Sequence, residues 1–351
     1  MKKFIALFMV AVLLPVAAFS QEIAIPGRVH HSVPLRVSYP DNPIIPGESS
    51  TTGLPFNGSY VPILIVIDNS EDAHPHWGVS KADIMYQVPH MGRGATRLLA
   101  LFADQVPEKA GGVRSARAPF VDIATTYGAA FAYAGHTSEE LGKETSVPMN
   151  LKAANMQNKH FNLLGSLFNS RETHHNAAGH NLSCHVQDIK SNLISNGVVF
   201  IPRPMLFRDS LPEKGMNAQE IAINYTKDSS GVPNPASLSS FSYNKEQNFY
   251  VRSNTSGPYI DMDTGNIVPF ANVIIQRVAI GWERGYLYLK NFGTSGAADI
   301  FSGGKYISGA WYRNGEDSRT VFVDESGNEF SFQRGKTFIV IADETVAVSY
   351  K

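Results

Sequence analysis

Val61-Pro62-Ile63-Leu64-Ile65-Val66-Ile67 is an almost unbroken apolar run, and five of its seven residues are Val or Ile. Such a run predicts a strand buried on both faces, as in an α/β sheet. It stops at Asp68-Asn69-Ser70, residues that favour turns. Working outward, Ile84–Val88, Arg97–Phe102 and Ala129–Ala134 predict three more strands, the last closing on Gly135-His136-Thr137. Helices fit Ala118–Tyr127, with Pro119 in the first turn, Ser138–Glu144 after a Thr137 cap, and His185–Ser195. Strands alternating with helices indicate α/β or α+β layering.

Beyond Ile201-Pro202-Arg203-Pro204 the texture changes. From Leu238 onward short apolar and aromatic runs recur: Phe241–Tyr243, Phe249–Val251, Val273–Ile275, Tyr286–Leu289, Ala310–Tyr312, Thr320–Val323 and Phe338–Ile341. Turn signals such as Asn314-Gly315 and Ser326-Gly327-Asn328 separate many of them. The expected fold class is therefore α+β: an N-terminal mixed α/β domain over 58–200, a linker over 201–237 and a mostly antiparallel β domain over 238–351. Residues 21–57 carry Pro26, Pro34, Pro40, Pro43, Pro46 and Pro55 and read as an extended leader.

Composition sets limits on function. Hydrophobic residues are 43% and charged residues 17%, enough for a sizeable core and too apolar for disorder. A net charge of -1 argues against nucleic acid as a partner. One cysteine, Cys184, excludes an intramolecular disulfide. Met1-Lys2-Lys3, the apolar run Phe4–Ala18 and the small-x-small site Ala18-Phe19-Ser20 follow the order of a secretory signal cleaved near Ser20. The apolar run falls short of the roughly 20 residues that span a bilayer. No lipid-attachment cysteine follows it, since the only cysteine is Cys184, and no later stretch is long and apolar enough to span. The mature chain is expected to be secreted or extracytoplasmic, without a transmembrane segment and without a lipid tether.

Several stretches resemble a known family. Ile67-Asp68-Asn69, Gly78–Tyr86, Thr96–Phe102 and, most distinctively, Val113-Arg114-Ser115-Ala116-Arg117 resemble the YerB-like family of bacterial envelope lipoproteins, domains of unknown function. Ala134-Gly135-His136, His180-Asn181-Leu182, Tyr259-Ile260-Asp261, Asn272–Ile275, Gly309-Ala310-Trp311 and Gly335–Phe338 are similar to it as well, in order, over roughly residues 50 to 345. The resemblance implies a bacterial extracytoplasmic protein in two domains and no established enzymatic activity. The chain departs from the family in lacking the lipid-attachment cysteine.

The candidate site is polar and partly cationic. Arg114 and Arg117 are three apart, flank Ser115 and follow Gly111-Gly112, so two guanidiniums and nearby amides could receive a carboxylate or phosphate. Alternatively, they pair with internal acids such as Asp68 or Asp83 and only fix the fold. Asp68 and Asn69 end one strand and His136 follows another, a placement suited to a base and its orienter if the strands are neighbours. Both could equally cap turns. His180 with Asn181 is a ligand candidate, or a loop histidine bonded to backbone. His174, His175, His180 and His185 match no metal-ligand spacing, so neither metal nor cofactor is expected. Cys184 is a lone thiol with no sign of activation, and Ser115 lacks a nucleophile elbow. The leading expectation is binding of an anionic or cell-wall-derived ligand from the envelope. The rivals are a cell-wall hydrolase with Asp68 or His136 as base, and a structural role without a small-ligand site.

Overall fold

A computed structural model describes residues 21–34, 38–91, 94–138, 140, 142–173, 179–225, 238–290 and 292–351. The expected signal and the histidines His174 and His175 lie outside these residues. Strand accounts for 42% of the chain and helix for 11%. The fold is mostly β, and the expectation of a mixed α/β domain followed by a β domain is wrong.

The pairing shows why. Ile63–Asp68, Ile84–Pro89 and Thr96–Phe102 do form strands, but they pair antiparallel in the order 84–89, 96–102, 63–68. No crossover helix separates them. Thr337–Ala342 then lies parallel to Ile84–Pro89 on one side and to Asn272–Arg277 on the other. Strands from both halves thus belong to one eleven-stranded mixed sheet. Ala130–Tyr133 extends it beside Ile63–Asp68, in parallel.

The central strands are apolar throughout because both faces are covered, one of them by a second sheet together with Val186, Ile189 and Leu193 of the helix Val186–Ser195. Ile63, Ile65, Ile67, Met85 and Val340 face a second, seven-stranded sheet, where Ile221, Ile223, Phe241, Tyr250 and Val348 meet them. Leu64, Val66, Tyr86, Val88, Leu99 and Ile339 face the opposite way. There they meet α1 (Ala118–Thr126), α2 (Val147–Ala153) and the hairpin of Ala279–Glu283 with Tyr286–Lys290. The second sheet also takes in Ile23–Ile25, paired with Ala347–Tyr350.

The helix expected over Ser138–Glu144 begins instead at Val147, with the Ser146 hydroxyl accepting from the Met149 amide. Residues 139 and 141 lie outside the described set. Thr137 does not cap; its hydroxyl donates to the Thr145 carbonyl at 2.7 Å. The Glu144 and Thr145 amides donate to the Glu283 carboxylate of the hairpin, at 3.1 and 3.2 Å. A tertiary acceptor has thus taken the last amide of the expected helix and the one after it. α1 and α3 (Val186–Ser195) lie within a residue of expectation.

Because Thr337–Ala342 is interior to a sheet shared by both halves, stability should be shared too. Thermal unfolding followed by circular dichroism is expected to show one cooperative transition. Ile339→Ala should destabilise that transition by about 2–5 kcal/mol. Two separable transitions, with the mutation confined to one, would disagree.

Candidate functional site

Three strand ends meet at one edge of the large sheet. Ile63–Asp68 and Ile84–Pro89 both run antiparallel to Thr96–Phe102, so their carboxyl ends lie beside its start. The register pairs Asp68 with Arg97, and Arg97 with Val88. Side chains alternate along a strand. Asp68 therefore shares the α1-facing side with Leu64 and Val66, Arg97 with Leu99 and Leu101, and His90 with Tyr86 and Val88.

Asp68 is fully buried and receives several donors. Arg97 Nη1 reaches Oδ1 at 2.8 Å, the cross-strand ion pair that the register sets up. The Ser70 amide donates to Oδ1 at 3.1 Å. Arg114 Nε lies 2.7 Å from Oδ2, and His180 Nδ1 also lies 2.7 Å from Oδ2. A carboxylate only accepts, so Nδ1 of His180 carries the proton in this contact. Burial alone would raise the Asp68 pKa; Arg97, the Ser70 amide, Arg114 and His180 outweigh it and hold the carboxyl at about 2.

The glycines at 111 and 112 bring Arg114 here. A Cβ on Gly112 would stand 1.9 Å from the His180 carbonyl oxygen. Without one, the segment threads between two neighbours: Asp68 N donates to Gly112 O, Val113 N to Leu182 O, and Arg114 N to Val66 O, at 2.8–3.0 Å. The close approach is thus to the protein's own backbone, which seats Arg114 between Asp68 and His180. Arg114 Nη1 also donates to Gly179 O at 3.1 Å.

Arg117 begins α1 as its N-cap residue, without a side-chain cap bond. Its Nη1 donates to the Ala116 carbonyl at 2.7 Å, and its guanidinium lies over the Tyr286 ring, 5.5 Å from the centroid. Burial lowers its pKa, the Tyr286 hydroxyl opposes this, and Arg114 adds to it. Among the described residues Arg117 has no acidic partner.

The remaining expected site residues have other neighbours. Asn69 turns to the opposite face, donating to Thr96 Oγ1 at 2.8 Å and accepting from Arg252 Nη2 at 3.2 Å. Asn181 bonds Glu172 O and Arg171 Nη1. His136 is exposed, with Nδ1 3.0 Å from the Thr137 carbonyl oxygen. Its strand does neighbour that of Asp68, yet the histidine on Asp68 is His180. The Ser115 hydroxyl lies beside Gly135. His185 contacts Ser170 Oγ and Asp188 rather than the site. Asp83 lies among Thr51 and the amides of Ala103 and Asp104, so the acid met by the arginines is Asp68. Cys184 is buried, and burial pushes its thiol up.

Three contributors stand outside the sequence expectations. Arg97 could have been found from the strand pairing, as the residue opposite Asp68. His90 could have been found from alternation, two residues beyond Val88. Arg252, buried in the second sheet, also donates to Ser239 Oγ, which in turn donates to Gln87 Oε1 at 2.6 Å. No local signal marks Arg252, because its contacts join two sheets.

The profile described as "Protein of unknown function (DUF3048) N-terminal domain" matches residues 51–198, and that of the DUF3048 C-terminal domain matches 231–339. The chain belongs to the DUF3048 family. It is 28% identical over 294 residues to "Putative lipoprotein YerB" of Bacillus subtilis (strain 168), covering 82% of this chain and 83% of that protein. The crystal structure of YerB protein from Bacillus subtilis superposes with a TM-score of 0.70 at 24% identity, over 86% of this chain and 99% of that one. The fold is therefore shared with YerB. Among the described residues, no helix is long and apolar enough to cross a membrane.

The Asp68 carboxyl links stability to pH. Its folded pKa, about 2, lies below the unfolded value of about 3.8. The stabilisation is complete above pH 4 and fades as pH falls through 2. Asp68→Asn should cost at least about 2 kcal/mol at pH 7, from that difference alone. In urea unfolding the gap between the two proteins should narrow steadily below pH 4. A gap that is absent at pH 7, or grows on acidification, would contradict the assignment.

Proposed function

We propose that this protein is an extracytoplasmic component of the bacterial cell envelope that binds an anionic, cell-wall-derived ligand through Arg97, Arg114, Arg117 and His180. One observation carries the reading: Arg97 and Arg114 share a single carboxylate, and a third guanidinium, Arg117, lies within electrostatic reach of both. Asp68 neutralises one positive charge, and among the described residues Arg117 has no acidic partner. Gathering like charges costs free energy unless a counter-charge arrives. Arg114 retains 35% of its side-chain exposure, so the cluster is open to an incoming group. The N-terminal charge, apolar run and small-x-small site support export, and the relation to a protein named as a putative lipoprotein agrees with it.

Asp68 is ill suited to act as a base, since both its oxygens are occupied and it stays ionised. Among the described residues no carboxylate is bonded to His136, whose Nδ1 faces the Thr137 carbonyl. A hydrolytic reading would have to use His180, whose Nδ1 is directed by Asp68, leaving Nε2 for proton transfer. New products from peptidoglycan incubated with the mature protein, lost in His180→Ala, would favour that reading.

For the binding reading, Arg117→Ala should weaken binding to purified cell-wall fragments at least about tenfold while the melting temperature falls far less than in Arg114→Ala, since among the described residues the charge it removes has no acidic partner. Arg114→Ala should lose both binding and stability, because it also leaves Asp68 under-neutralised. Unchanged binding in both variants would refute the proposal.

A further inference from the structure

His90 is buried, at 3% exposure, and neither ring nitrogen has a hydrogen-bond partner among the described residues. Leaving a buried polar atom unpaired costs about 1–3 kcal/mol, so an unpaired imidazole with both nitrogens sealed from solvent calls for a reason. Its position supplies one. The His90 amide donates to Ala95 O, next to the Thr96–Arg97 strand start. Its ring stands edge-on to Phe120, 6.4 Å between centroids, in the first turn of α1. Burial foremost, then Arg97 and Arg117, with Arg114 adding to them and Asp68 opposing, push its pKa down to about 3. His90 is thus a neutral imidazole beside three arginines.

The start of α1 faces the same cluster. No side chain caps it, and its first turn holds no acidic residue. Pro119 has no N–H, and the Phe120 amide donates to Arg117 O. The Ala118 amide lacks an acceptor within the helix, as the first amides of any helix do. The Nε of Arg117 is also buried without a hydrogen bond among the described residues, whereas that of Arg114 faces Asp68 Oδ2. Unfilled donors therefore come from three directions: the helix start, the 114–117 segment and the end of the 84–89 strand.

We propose that the group received at this edge is a phosphate, held by Arg114, Arg117, the first amide of α1 and a neutral hydrogen bond from His90. A carboxylate offers two oxygens and one negative charge, so it would fill fewer of these donors and leave one positive charge unbalanced. The three non-ester oxygens of a phosphate monoester can meet donors from three directions. The charge count agrees: Arg97, Arg114 and Arg117 against Asp68 leave two positive charges, matching a dianion. His90 adds a donor without adding a third charge to be balanced. The inference rests on the anion-binding reading above and makes it more specific. The phosphate could belong to a soluble phosphosugar or polyol, or to a lipid headgroup.

Calorimetric titration of the mature chain at pH 7 and low salt separates these cases. The soluble probes are glycerol 3-phosphate, inorganic phosphate, acetate and glucuronate. The bilayer probe is phosphatidylcholine vesicles with and without phosphatidic acid. The phosphate probes are expected to bind at least about tenfold more tightly than the carboxylates. His90→Phe should cut phosphate affinity about tenfold and leave carboxylate affinity unchanged, as expected for one hydrogen bond to a charged group. Binding confined to phosphatidic acid vesicles would uphold the phosphate site and place its source in a membrane. Glucuronate binding as tightly as glycerol 3-phosphate would overturn the phosphate assignment and leave the anion-binding reading standing. No binding of any anion would overturn both. Should His90→Phe fail to fold, the His90 ring resonances of the wild-type protein decide: saturable shifts on adding inorganic phosphate support the site, and unmoved resonances refute it.

Discussion

A carboxylate sealed from water must be met by positive charge and hydrogen-bond donors, and Asp68 is such a carboxylate. It ties together pieces far apart in sequence: the strand opposite through Arg97, the 111–117 segment through Arg114 and the loop before Leu182 through His180. Breaking a buried pair is strongly destabilising, whereas the complete pair contributes little net stability. The better account of this cluster is therefore positional. Asp68 fixes where three cationic or hydrogen-bonding side chains stand, and so gathers them at one sheet edge.

The second sheet supports that edge from behind. Successive residues point to opposite faces, so Asp68 looks toward α1 while Asn69 looks toward the seven-stranded sheet. Arg252, Ser239, Gln87 and Thr96 then hold Asn69 in a hydrogen-bonded chain. Arg252 also packs over the Tyr259 and Phe338 rings, at 5.2 and 5.4 Å. A change in the second sheet can thus reach the site without touching a ligand.

Much of this was legible in the sequence, and the limits have physical causes. The apolar runs located most strands because burial on both faces leaves a continuous signature. The covering layers were not legible: a strand between a sheet and helices reads the same as one between two helical layers. The pairing of Thr337–Ala342 with Ile84–Pro89, roughly 250 residues earlier, depends on packing that no local pattern encodes. At the site, Asp68, Arg114 and His180 were recognisable and do converge, whereas Asn69, His136 and Asn181 serve other contacts. Arg97 was hidden because a charged residue opening an apolar strand reads as a boundary. His90 was hidden because the apolar run ends at Val88 and Pro89 reads as the end of the strand.

The central claim is that an anionic wall-derived group docks where Asp68 has gathered the arginines. Its most direct test is the side-chain Nε–Hε spectrum of arginine, recorded by NMR as purified cell-wall fragments are added to the mature chain. The account predicts that the Arg114 and Arg117 resonances move together and saturate, while that of Arg252, buried in the second sheet, moves far less. Resonances of Arg114 and Arg117 that stay fixed while the fragments bind would contradict it.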